Sequence, residues 1–160
     1  MNPKHDLISR SYTSEFSLSS NTITGLAAVY ESRANIGGLF YEVIDRGAFD
    51  DTDFTDVLFF VNHDLTKIPL ARSRRNNGNS SMQLHVDERG LNIETNLDVE
   101  NNAEARSLTS AIKRGDITGM SFLFNVKEDA WEELDAKIPT RRIKRIGRVR
   151  EVSAVNFPAY

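Results

Sequence analysis

Cysteine is absent from the 160 residues. That single absence removes disulfides, thiolate nucleophiles, cysteine zinc sites and iron–sulfur clusters. It suits a reducing compartment. Long apolar runs are missing too: nothing approaches the roughly 18 consecutive apolar residues of a membrane-crossing helix, so no membrane partner is expected. The first ten residues, MNPKHDLISR, lack the apolar segment of a secretory signal. Charge of one sign is not in excess either. Lys and Arg number 20 against 23 Asp and Glu, a net charge of −3. A nucleic-acid binder relying on global positive charge is therefore not expected. No G-x-x-x-x-G-K-[ST] or G-x-G-x-x-G loop is present, which leaves nucleotide binding without a motif. There are only 3 histidines and no H-E-x-x-H or paired histidines, so neither a metal nor any other cofactor is expected. What remains is 39% hydrophobic and 27% charged residues, the balance of a globular chain with a core.

The length suits one domain, with residues 1–15 a tail or weak first strand and 16–160 the domain proper. From Phe16 onward, strand patterns dominate. Thr22 to Tyr30 is apolar and β-branched, with Gly25 inside it as a candidate bulge or close backbone approach. Residues 31–38 read as a loop, Phe40 to Ile44 as a short strand, and Gly47 to Phe54 as a helical turn. The run Val57 to Val61 is apolar on both faces, the signature of a buried central strand. Arg72 to Ser81 reads as a loop. Met82, Leu84 and Val86 then alternate with polar residues, and alternation resumes from Leu91 to Leu97 after Gly90, which makes a hairpin. Asn101 to Arg114 has the 3–4 spacing of a helix, with Asn101 as cap, Glu104 three residues on, and Gly115 as stop. Gly119 to Val126 is a further strand, Lys127 to Asp135 around Trp131 a short helix, and Val149 to Val155 a last strand. The expected fold is mostly β (α+β): a closed or partly open β-barrel of about seven or eight strands flanked by helices.

Three positions stand out chemically. His63 ends the buried run VLFFVNHD. An imidazole held at the mouth of a buried strand suits a general base, because both its protonation states are within reach near neutrality. Position alone favours the plainer reading, a histidine capping the strand. His5 falls in the tail, and His85 alternates with apolar neighbours and so points to solvent. Ser121 follows Gly119 and Met120 in a strand; a hydroxyl there is a nucleophile only if a base takes its proton. Glu151 lies in VREVSAV, where neither strand face is cleanly polar. A carboxylate buried there needs a partner, either a histidine or one of Arg72, Arg74, Arg75, Arg148 and Arg150. Asp64, next to His63, competes for the role of imidazole partner. The basic run from Arg141 to Arg150 is either a docking patch for an acidic partner or a nucleic acid, or an arm balanced by the acidic segment from Glu128 to Asp135, and the balanced arm is favoured.

The order of several short motifs carries a resemblance. They are Gly25–Tyr30, Glu42-Val43-Ile44-Asp45-Arg46-Gly47-Ala48-Phe49, Asn62-His63-Asp64, Pro69-Leu70-Ala71-Arg72, Ile112-Lys113-Arg114-Gly115-Asp116-Ile117, Gly119-Met120-Ser121-Phe122 and Glu151-Val152-Ser153. Together they resemble the HK97-type prohead (capsid maturation) proteases of tailed phages over about Phe16 to Tyr160. The resemblance implies a serine endopeptidase related in fold to herpesvirus assemblin, a β-barrel ringed by helices. It implies Ser121 as nucleophile and His63 as base. Assemblins use a second histidine, after the serine, as third member; here that place holds Glu151, which is also where the burial argument leads. Leu123 and Ala71 stand where the family often has glycine.

The implied substrates are the major capsid protein or its scaffold segment and the protease itself, inside the immature head in the host cytoplasm. A homo-oligomer is an open expectation. Family members commonly carry a further C-terminal tail that is trimmed off, so that tail is expected to be absent here. The rival readings are a non-enzymatic scaffold or capsid-binding module docking through residues 141–150, and a hydrolase of another ester or amide using the same three groups.

Overall fold

The computed structural model describes residues 7–13 and 17–157. His5 and most of the expected tail lie outside them, but Ile8–Thr13 forms a strand, β1. Ten more strands follow: β2 (Ser17–Ser19), β3 (Thr22–Val29), β4 (Ala34–Ile36), β5 (Phe40–Ile44), β6 (Asp56–Val61), β7 (Ala71–Arg74), β8 (Met82–Val86), β9 (Gly90–Asn96), β10 (Gly119–Glu132) and β11 (Thr140–Val155). The one helix among the described residues, α1, spans Ala103–Arg114 between β9 and β10.

The strands make two sheets. In the larger, the order is β1-β10-β11-β5-β4, with β6 also on β11 and β7 on β6. The smaller is β2-β3-β9-β8. The chain is mostly β, as its patterning predicts, but neither sheet closes on itself, so the expected barrel and its ring of helices are not found. The physical reason lies at the margins. The first part of β11 pairs in parallel with β5 and its last part in parallel with β6, while β10 runs along its other edge. Beyond β10, β1 is an edge strand with no further strand pair among the described residues. Side chains bridge from there to β5: Arg10 donates to both oxygens of Glu42, at 2.6 and 3.0 Å, and Arg141 adds a contact at 3.3 Å. Glu42 is buried, so its charge needs these partners.

Long-range packing follows from alternation where alternation holds. Met120, Phe122 and Phe124 lie on one face of β10 and are fully buried, with Phe122 and Phe124 stacked 4.2 Å apart. They join Ile23, Ala27, Phe49, Leu91, Ile93 and Val152 in the core between the sheets. Replacing Phe122 by Ala would cost about 3–5 kcal/mol, the usual range for a buried aromatic. Along β11 the period changes. Thr140, Ile143, Ile146 and Val149 are buried at every third position. Register shifts against β10 near Asn125, Val126 and Glu128 insert extra residues and rotate the faces.

Local geometry corrects several expectations. The helix cap is Asn102, not Asn101: its side chain accepts the N–H groups of Glu104 and Ala105. Gly115 terminates the helix in the left-handed region, at φ 80°. The expected short helix around Trp131 is the distal half of β10, paired with Thr140 to Ile143. The expected loops at 31–38 and 72–81 contain β4 and β7. A close backbone approach occurs at Gly90, where φ is 143° and a Cβ would lie 2.1 Å from the Ala28 carbonyl oxygen, and β3 has a bulge between Leu26 and Ala28, just after Gly25.

Candidate active site

β6 stops at Val61 because the next two residues both take left-handed backbone, φ 52° at Asn62 and 55° at His63. Asn visits that region more readily than most residues. The turn is held from several sides. Asn62 N–H donates to Ala154 O at 2.8 Å, and the Asn62 side-chain oxygen accepts Asn156 N–H at 2.9 Å. His63 N–H donates to Ser153 Oγ at 3.1 Å, and Asp64 N–H to Val61 O at 3.2 Å. His63 is therefore off the strand. The expectation that it shares a face with Val57, Phe59 and Val61 does not apply, since strand alternation ends two residues earlier.

Three adjacent strands now bring the groups together. β11 lies between β6 and β10, and Ser121 on β10 is the cross-strand partner of Ser153 on β11. Glu151 and Ser153, two residues apart, share the face toward the turn. A bulge at Arg150 leaves that residue exposed and Glu151 buried. Across this platform, His63 Nδ1 lies 2.5 Å from Glu151 Oε2, and His63 Nε2 lies 2.6 Å from Ser121 Oγ. A carboxylate only accepts, so Nδ1 carries the proton toward Glu151. Nε2 is then the acceptor for the Ser121 hydroxyl. Of the partners left open for Glu151, the structure selects the histidine.

Ser153 Oγ also donates to Glu151 Oε1, so both carboxylate oxygens are engaged. Nothing in its own residue pattern singles out Ser153, because an ordinary strand serine carries no chemical signature until its neighbours are known. Ser121, Glu151 and Ser153 are buried at 0%, 1% and 0% exposure, whereas the imidazole is 26% exposed. The ring is the member of the set that meets solvent.

Asp64 does not compete. Its carboxylate accepts the hydroxyl and N–H of Thr66, and those hydrogen bonds hold it below the usual carboxylate range. His85 is exposed on β8. The basic run is paired within the chain: Arg141 with Asp129, Arg142 with Glu31 and Glu132, Lys144 with Asp45, and Arg145 with Asp51. The acidic segment upstream supplies only some of these carboxylates, and the rest come from earlier turns and strands. Among the described residues, no cluster of three or more histidines and carboxylates has metal-binding geometry. No helix among them is long and apolar enough to cross a membrane.

The arrangement is a hydrogen-bonded line of carboxylate, imidazole and hydroxyl, which is the chemical requirement for making a serine nucleophilic. Comparison with known proteins agrees in kind. The family model for caudovirus prohead serine proteases matches residues 8–160. No curated protein and no solved structure matches the chain.

Proposed function

Since the chain belongs to the caudovirus prohead serine protease family, and so is a serine-type endopeptidase of capsid maturation in the phage head, we propose that Ser121, His63 and Glu151 are its catalytic triad. The observation that carries this is the unbroken line from Glu151 Oε2 through both ring nitrogens of His63 to Ser121 Oγ.

In the proposed mechanism Ser121 Oγ attacks the scissile carbonyl carbon while its proton passes to His63 Nε2. Glu151 holds Nδ1–H and stabilises the imidazolium that forms. The tetrahedral intermediate collapses as Nε2 gives the proton to the leaving amine. An acyl ester then remains on Ser121. Water, deprotonated by the same nitrogen, attacks that ester and releases the new C-terminal carboxylate together with the serine hydroxyl.

The substrates we assign are the scaffold segment of the major capsid protein and the protease itself, acting inside the immature head in the host cytoplasm. The non-enzymatic docking module is disfavoured: family membership argues for peptide-bond hydrolysis, and the cations of residues 141–150 are largely engaged with the chain's own carboxylates.

The deciding experiment mixes purified wild type or Ser121→Ala with its capsid protein and reads products by mass spectrometry. Wild type yields a truncated capsid protein; Ser121→Ala, with an unchanged circular dichroism spectrum, yields none. Processing by Ser121→Ala at the wild-type rate overturns the assignment.

A further inference from the structure

Beside the triad, a groove of about 410 Å³ opens between the turn after β6 and helix α1. That is within the roughly 300–1,000 Å³ range of sites that enclose small ligands or side chains. Asn62 and Asp64, the residues on either side of His63, both line it. Its walls are apolar: Val61, Ile68 and Leu70 on one side, Leu108 and Ala111 on the helix, and Ile117 on the segment leading into β10. Charge is confined to the rim, where Lys67 Nζ lies 3.4 Å from Glu104 Oε1 and ties the turn to the helix. Ile68, at the groove's edge, is 83% exposed. On α1, positions 104, 107, 108 and 111 face the groove, and two of them carry the small side chains of Ser107 and Ala111. The helix face thus leaves room rather than filling it.

We propose that this groove is a specificity subsite that takes one large aliphatic or aromatic side chain of the substrate peptide, within a few residues of the scissile bond. The inference rests on the peptidase reading of the adjacent triad and adds the substrate class. Its argument is continuity: the recess is lined by both neighbours of the imidazole, so a peptide laid across His63 runs beside it. A charged side chain placed there would lose hydration against apolar walls, while the charged groups at the edge are already engaged, Lys67 with Glu104 and Asp64 with Thr66. An apolar one would gain burial. Ser107 and Ala111 set the depth, and Ile68 forms the outer lip.

The test has two arms, so that failure of the subsite and failure of the triad are separable. In the first, wild type, Ala111→Phe and Ser107→Phe are incubated with a positional-scanning library of acetylated decapeptides, and cleavage is read by mass spectrometry. One position is expected to favour Leu, Ile, Met or Phe over Gly, Asp and Lys by about tenfold or more in kcat/KM. Filling the groove should abolish that preference, with KM for peptides carrying the large apolar residue raised by about tenfold or more in both variants. A preference that is absent, or unmoved by both substitutions, overturns the subsite.

The second arm needs no turnover. Ser121→Ala with labelled methyl groups is titrated with N-acetyl-leucinamide and, separately, N-acetyl-serinamide. Shifts at Ile68, Leu70, Leu108 and Ile117 with the leucine compound alone, lost in Ser121→Ala/Ala111→Phe, support the subsite. Equal shifts with both compounds, or shifts elsewhere, overturn it whatever the first arm shows. Absence of all cleavage by wild type, with those shifts present, overturns the triad and leaves the apolar recess standing.

Discussion

Ser153 Oγ donates to Glu151 Oε1 and at the same time accepts the backbone N–H of His63 at 3.1 Å. One hydroxyl thus orients the carboxylate and anchors the turn that carries the imidazole. Neither bond touches the reacting atoms, so Ser153 is a positioning residue. Ser153→Ala is expected to lower kcat for capsid-protein cleavage by about ten- to hundredfold, the kinetic equivalent of a lost bond to a charged group. KM should change little, and Ser153→Thr should restore most of the rate. Steady-state kinetics of the three proteins checks this; a Ser153→Ala enzyme with wild-type kcat would remove Ser153 from the account.

Glu151 is 1% exposed, and its outer oxygen has His63 as partner. Removing the ring strands part of a buried carboxylate. His63→Ala is expected to destabilise the fold by about 1–3 kcal/mol, the cost of an unsatisfied buried polar group. Ser121→Ala, which removes only one hydroxyl at the far side of the ring, should cost less than about 1 kcal/mol. Adding Glu151→Gln to His63→Ala should recover stability, because the neutral amide is cheaper to bury alone. Urea unfolding of the four proteins decides it; equal losses for His63→Ala and Ser121→Ala would contradict the argument.

The acid limb of stability has an identifiable contributor on the strand that leads to the site. Arg72 donates to both oxygens of Asp56, at 2.7 and 2.5 Å, joining β7 to β6. Those bonds hold the Asp56 carboxyl below the usual carboxylate range. A depressed folded value means the contribution is whole above the unfolded value of about 3.9 and is lost as pH falls through the lower, folded one. Asp45 behaves alike: its burial works against the charge, but hydrogen bonds from Lys144 and Arg142 outweigh it. Arg72→Ala is therefore expected to lower thermal stability at pH 7 and to flatten its decline below about pH 4. A melting series against pH, with the two curves parallel throughout, would contradict this.

How much of this was legible in the sequence depends on whether a residue's pattern is local. The run VLFFV announced β6, and the spacing of Ala105, Leu108 and Ala111 announced α1. Two adjoining asparagines make the helix cap ambiguous by one residue, and only geometry shows that Asn102 caps while Asn101 bonds Asp98. The distal half of β10 reads as helix because Lys127, Glu128, Asp129 and Glu132 break alternation around Trp131. The structure accounts for the break: bulges interrupt the register there, and residues 127–132 are all exposed or half-buried, so no core face marks that half as a strand. β7 reads as loop because its arginines and serines look like surface, yet an edge strand is allowed a polar face. The open sheet was out of reach for another reason: pairing β11 with both β5 and β6 joins segments about a hundred residues apart, which no local pattern encodes.

For the site, Ser121 and His63 were legible through the order of Asn-His-Asp and Gly-Met-Ser-Phe, and Glu151 through a carboxylate in a strand with no polar face. Which partner Glu151 takes was not legible. It depends on the left-handed turn at Asn62 and His63, and non-glycine residues rarely announce such a turn.

Ser121 has no accessible surface, although the imidazole bonded to it is partly open to water. Its edge-strand neighbour β1, with Ser11 beside Ser121, has β10 as its only strand partner among the described residues. An attacking oxygen must approach a carbonyl carbon to about 3 Å, so the resting arrangement is shut. On the proposed assignment of Ser121 as nucleophile, attack then needs a movement of its surroundings as well as the chemical step, and the frequency of that movement caps the rate whatever the triad's intrinsic power.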